Sequence, residues 1–290
     1  MEIIETLING LSLGGTYAMI ALGYTMVYGI AKMLNFAHGD VIMVGGYTIY
    51  VVMAQTGHPI IGLAAAILFC MILGVTVEKL AYKPLRGASP LAVLITAIGV
   101  SYLLQSTAQM IFGSSPKMVT LLDLGNVEIG SLKIQWNVII TLIASFVIML
   151  VLTLFVKYTR TGRAMVAVSE DKGAAQLMGI NSNAIITLTF AIGSALAACA
   201  GFFMLMKSPS LSNTMGAMPG IKAFTAAVIG GIGSIPGAML GGILIGIVEA
   251  VSYKITAIAP YTDAIEFLIL IIILLVKPSG ILGKKRREKV

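Results

Sequence analysis

Residues 222–252 read KAFTAAVIGGIGSIPGAMLGGILIGIVEAVS. The run is 31 residues long, whereas one membrane-spanning helix needs roughly 20 apolar residues. Its middle, GGIGSIPGAMLGG at 230–242, holds Gly and Pro at a density that interrupts a helix. The sequence predicts two arms with a break from Gly230 to Gly237, the chain entering the bilayer and returning. Arms this short suit half-helices that meet within the membrane. Irregular backbone at that depth is tolerated only where protein buries it or it lines a cavity.

Working outward, further apolar runs lie at 7–31, 36–55, 60–81, 91–112, 137–156, 184–206 and 258–276. Hydrophobic residues make up 58% of the 290-residue chain and charged residues 11%, against about 25% charged in a soluble domain. The expected fold class is an all-α integral membrane protein. It is a polytopic helix bundle of eight or nine passes with broken helices, forming a single transmembrane domain over 1–290. The start, MEIIETLINGLSLGG, carries two Glu and no basic residue. It lacks the basic n-region of a cleaved signal and is expected to remain.

Orientation follows from the cations. Lys79, Lys83 and Arg86 share one loop; Lys157, Arg160, Arg163 and Lys172 share a second; the tail 277–290 carries Lys277, Lys284, Lys285, Arg286, Arg287 and Lys289. With Lys32 these are 14 of the 19 Lys and Arg, including all five Arg. Positive residues mark cytoplasmic loops, so these regions are expected inside, with the amino terminus outside. Lys207, Lys222 and Lys254 then fall on the outer side. Only if 222–252 crosses twice does the basic tail end in the cytoplasm. The formal charge of +7 is thus explained by topology and does not imply a nucleic-acid partner.

Catalytic and cofactor patterns are missing. No phosphate loop GxxxxGK[ST] occurs, GGIGSIPG has the wrong spacing for a dinucleotide fingerprint, and His38 and His58 form no metal motif. Cys70 and Cys199 are isolated in apolar runs and read as packing residues. Glu78, Glu249, Asp263 and Glu266 lie near predicted span ends and read as interfacial groups. Asn35, His38 and Asp40, within LNFAHGD at 34–40, sit between apolar runs. At membrane depth such residues are functional candidates; in a turn beside Lys32 they would be in water, and both readings stand.

The loop 157–183, KYTRTGRAMVAVSEDKGAAQLMGINSN, is long for a turn between spans. Its spacing predicts one short cytoplasmic helix over Ala164–Met178, with Ala164, Val168, Ala175 and Met178 near one face and Gly179 as its stop. Small residues with a basic approach suit docking in a partner's groove; an interfacial helix lying on lipid is the other reading.

DKGAAQLMGI at 171–180 resembles the cytoplasmic loop of permease subunits of ATP-binding-cassette importers. The whole chain is similar to the branched-chain amino acid permease family. The resemblance is carried by YTMVYGIAKMLNFAHGD at 24–40, EKLAYKPLRG at 78–87, LITAIGVSYLLQ at 94–105, GRAMVAV at 162–168, AVIGGIGSIPGAMLGGILIG at 227–246 and VKPSGILG at 276–283. The family pattern often has Arg where this chain has Lys83, Val166 and Lys277; only Val166 loses the charge.

The resemblance implies a bacterial inner-membrane subunit that pairs with a second related permease. Two cytoplasmic ATP-binding subunits would drive it, and an extracytoplasmic binding protein would deliver leucine, isoleucine, valine or a similar solute. This chain would bind no cofactor and no metal and catalyse no reaction, ATP being used by the partners. Arg163, Asp171, Ala174, Ala175 and Gly179 would form the ATPase-coupling element. Pathway or gate candidates are Asn35, His38 and Asp40 with Gly230, Gly231, Gly233, Ser234, Pro236 and Gly237. Alternatives are a permease of the same family for urea or a short amide, and a self-sufficient secondary transporter or channel. The latter would leave the coupling-like loop unexplained. An integral membrane enzyme lacks any catalytic constellation.

Overall fold

The computed structural model describes residues 2–122, 125–129 and 132–283. The basic residues from Lys284 onward, used above for orientation, lie outside the described residues. The long helices are α1 (Glu2–Ala31), α2 (His38–Thr56), α3 (Pro59–Val77, continued by a π-helical turn Glu78–Tyr82), α4 (Pro90–Phe112) and α5 (Trp136–Tyr158). After α5 come the short α6 (Arg160–Glu170) and α7 (Lys172–Leu177), then α8 (Ser182–Lys207), α9 (Ala217–Gly230), α10 (Ile235–Lys254) and α11 (Thr262–Val276). Two small antiparallel pairs, Lys117–Met118 with Ser210–Leu211 and Asn126–Ile129 with Leu132–Gln135, lie in the connections.

Six helices among the described residues are long and apolar enough to cross a membrane; α1 and α2 are long but less apolar. Their position explains it. α1 packs against α5, α8, α9 and α10 and its middle, Tyr17 to Leu22, is buried, while α2, α3 and α8 pack mutually. The outward faces of α3, α4, α5 and α11 instead carry exposed Ile72, Ile95, Phe146 and Leu275. Apolar side chains face outward where lipid would lie, and inside the bundle glycines let helices meet closely. A Cβ on Gly14 would come 2.6 Å from Ile243 Cα, and one on Gly246 would come 2.1 Å from Gly14 N. α1 and α10 therefore approach backbone to backbone, as small-residue helix pairs do in membranes.

The predicted coupling helix is two helices. Asp171 ends α6 with φ −150° and starts α7, its carboxylate accepting from Ala174 N–H at 2.9 Å. A capping Asp satisfies a backbone donor that a continuing helix would not offer, and the break resets the periodicity. Met165, Val168 and Ala175 are buried, whereas Leu177 and Met178 are exposed, so Met178 leaves the face predicted for it.

Candidate functional site

The chain leaves α1 through Lys32, at φ 56°, and starts α2 at His38. A Cβ on Gly23 would strike His38 Nε2 at 2.3 Å, and the Tyr24 ring stands edge-on to the imidazole at 4.7 Å. Gly23 lies eight residues before the end of α1, which is about 12 Å along the helix at 1.5 Å per residue. α2 therefore begins inside the bundle. α9 begins beside it, since a Cβ on Gly39 would meet Gly216 O at 2.4 Å. Two helix starts thus meet within the protein, closed over by Phe36 and Phe224 with ring centroids 5.4 Å apart.

Asn35, His38 and Asp40 are all buried, against the reading that leaves them in water. Tyr82 Oη donates to Asn35 Oδ1 at 2.8 Å, and Gln105 Nε2 donates to Asp40 Oδ1 at 2.8 Å. The segment entering α2 is thereby tied to the π-helical turn and α2 itself to α4, whereas the buried His38 Nε2 has no hydrogen-bond partner among the described residues.

The α9–α10 interruption is narrower than predicted, residues 231–234. Gly231 and Gly233 make it, with φ 102° and 94°. Pro236 is not the breaker: it occupies the first turn of α10 behind Ser234, whose hydroxyl accepts from Gly237 N–H at 3.2 Å. Pro suits that position because its missing N–H is not needed there. The free carbonyls at the end of α9 accept from a distant segment. Ile281 N–H donates to Ile229 O at 2.8 Å and Leu282 N–H to Gly230 O at 2.9 Å. The stretch KPSGILG, 277–283, thus closes the end of α9, with Gly280 pressed on Gly231.

α6 folds back tightly from α5, because a Cβ on Gly162 would lie 2.3 Å from Phe155 O. Arg163, Asp171, Ala174 and Gly179 are exposed, and Ala175 is the buried anchor of α7. Gly179 takes φ 81° at the turn into α8. Exposed Val166, Leu177 and Met178 join them as an apolar surface.

Two charged groupings were not legible in the sequence. Glu78, read as interfacial, is fully buried: it accepts from Arg86 and from Thr187 Oγ1 at 2.7 Å, and Arg86 also donates to Asn183 Oδ1. Glu249, Glu266 and Lys222 are likewise buried. Lys222 Nζ stands 3.0 Å from Glu249, 2.8 Å from Asp263 and 3.4 Å from Glu266, and Tyr17 Oη donates to Glu249 at 2.7 Å. One lysine in an apolar run was the available signal; its partners lie 27 to 44 residues away on other helices. Among the described residues no group of His, Cys, Asp and Glu is arranged to hold a metal ion.

The model of the branched-chain amino acid transport system / permease component family matches residues 6–274. The chain belongs to that family. It is 44% identical to the high-affinity branched-chain amino acid transport system permease protein BraD of Pseudomonas aeruginosa, covering 99% of this chain and 98% of the relative. It is 43% identical to the permease protein LivH of the corresponding system of Escherichia coli K12, over 99% and 97%. Among solved structures, PsaBC from Streptococcus pneumoniae in complex with Fab covers 96% of this chain and 91% of that one at 16% identity and a TM-score of 0.44. The permease family match spans the α2 start, the α9–α10 break and the α6–α7 surface alike.

Proposed function

We propose that this chain is the membrane permease subunit of an ATP-driven, binding-protein-dependent importer of branched-chain amino acids. The observation that carries it is near full-length identity to permeases named for that transport. The subunit sits in a bacterial inner membrane with its amino terminus outside and carboxyl terminus in the cytoplasm. It pairs with a second related permease, two ATP-binding subunits and an external binding protein, and itself binds no cofactor and performs no hydrolysis.

The geometry suits that role. α6 and α7 form a platform on the basic side, continuous through Gly179 with α8, and α8 packs on α1, α2 and α3. A partner that holds this platform differently in its nucleotide states would bias the bundle only through that difference in contact. The meeting α2 and α9 starts, with Asn35, His38 and Asp40, and the break at residues 231–234 are the moving or lining parts. Helix starts favour negative groups such as a solute carboxylate.

The test is uptake by the reassembled complex in proteoliposomes, with leucine, valine, urea and ribose each offered beside a cognate binding protein. Uptake of leucine and valine is expected. Uptake of urea or ribose alone would overturn the substrate and leave the permease standing.

A further inference from the structure

The α-helical ladder of α3 ends ahead of Pro84, which has no N–H to donate and whose ring crowds the carbonyl four residues back. The chain meets that limit with one wider turn, Glu78–Tyr82, closed by Lys83 N–H donating to Glu78 O. Turns of this π-helical kind concentrate at functional sites. Four residues earlier α3 lies hard on α8, since a Cβ on Gly74 would stand 2.9 Å from Phe190 O. Within the turn, Glu78 and Tyr82 are both fully buried, and they reach different neighbours.

Glu78 reaches the beginning of α8. Thr187 Oγ1 donates to its Oε2 at 2.7 Å, and Arg86, paired with its Oε1, also donates to Asn183 Oδ1. That end of α8 adjoins the α6–α7 platform. Met178–Asn181 alone separate it from α7, and Ile180 N–H donates back to Ala175 O at 3.0 Å. Tyr82 reaches the other way. Its ring packs on Phe190 with centroids 5.2 Å apart, and its hydroxyl donates to Asn35 Oδ1 at 2.8 Å. The carbonyl of Asn35 accepts from His38 N–H at 3.1 Å, so this residue sets the first turn of α2. One five-residue turn thus grips the platform end of α8 on one side and the buried start of α2 on the other. Directional bonds between buried groups are costly to leave unmade, so the three parts move together or not at all. Chains of packed and hydrogen-bonded groups of this kind carry coupling between distant sites.

We propose that the π-helical turn Glu78–Tyr82 relays the state of the partner ATPases from the α6–α7 platform to the start of α2, with Glu78 and Tyr82 as positioning residues. A shift of α7 carries the first turns of α8 with it. Glu78 follows Thr187 directly and Asn183 through Arg86, and Tyr82 then moves Asn35 and the α2 start. The relay rests on the coupling reading of α6–α7 and names the route by which a signal received there reaches Asn35, His38 and Asp40.

The assembled complex in proteoliposomes tests it through the ratio of leucine imported to ATP hydrolysed. Tyr82→Phe keeps the ring on Phe190 and removes only the bond to Asn35. Thr187→Val keeps the side-chain shape and removes one donor to Glu78, which stays paired with Arg86. Each is expected to lower the ratio about tenfold, the worth of one buried bond left unmade, while hydrolysis persists. The double variant should fall no further than either single one, because two cuts in one line are not additive. A merely structural role would reduce uptake and hydrolysis in proportion and leave the ratio unchanged. An unchanged ratio in either variant would overturn the relay and leave the transport reading and the α6–α7 platform intact. Losses that multiply in the double variant would overturn it too. An unchanged ratio in Ala174→Trp, at the platform itself, would take down the coupling reading and the relay together.

Discussion

Glu78 is an expensive residue to bury, and its neighbours show how the cost is met. Arg86 from the following loop and Thr187 from α8 both bind its carboxylate. Removing one partner of a buried pair leaves an uncompensated charge, which costs about 3–5 kcal/mol, whereas replacing both is often neutral. Arg86→Ala is therefore expected to destabilise strongly and Arg86→Ala with Glu78→Gln to recover most of the loss, read as melting temperatures of the purified subunit. Equal melting of single and double variants would remove the pair's structural role. Gly231 gives a second contrast. Its φ of 102° costs an alanine on the order of 1–3 kcal/mol, and a Cβ there would also meet Gly283 N at 2.4 Å. Gly231→Ala should lower the melting temperature clearly. Pro236→Ala, at a position where Pro only presets the first turn, should shift stability by less than about 1 kcal/mol. Were Pro236→Ala the more damaging, the break would be made by proline after all.

Among elements, the apolar runs at 60–81, 91–112, 137–156 and 184–206 stand within a few residues of α3, α4, α5 and α8, because hydropathy reports what lipid requires of each segment alone. The burial of the α2 start and the split between α6 and α7 were harder to read. They depend on what touches them: His38 against Gly23, and the cap that Asp171 makes for Ala174. The Lys222 grouping was out of reach for the same reason, its carboxylates coming from two other helices. The α6–α7 surface carries its own test. Ala174 is exposed, so Ala174→Trp should leave the subunit folded yet uncouple ATP hydrolysis from uptake in the complex, lowering leucine uptake at least about tenfold while hydrolysis persists. Normal transport would mean that the partner docks elsewhere.

At the scale of the molecule, the bundle is apolar on its outer faces, and at its centre close-packed glycines and buried polar groups stand among apolar side chains, the pattern of a protein whose solvent is lipid. Its orientation is a prediction from the cations alone. Asn126→Cys, in the α4–α5 connection, and Lys172→Cys, at the start of α7, should be modified from opposite sides of intact cells in a background lacking Cys70 and Cys199; both positions are exposed. Modification of both from outside would overturn this topology and move the α6–α7 surface out of reach of any cytoplasmic ATPase.

The hydrogen bonds from Ile281 and Leu282 to the end of α9 also bear on how the protein is made. Synthesis runs from the amino terminus, so α9 and α10 enter the bilayer while the carbonyls of Ile229 and Gly230 still lack their donors. They gain them only when the residues after the final span emerge. The stretch 277–283 therefore completes α9: a nascent polypeptide stopped just after Val276 would hold every helix among the described residues and still expose a raw helix end to cellular quality control.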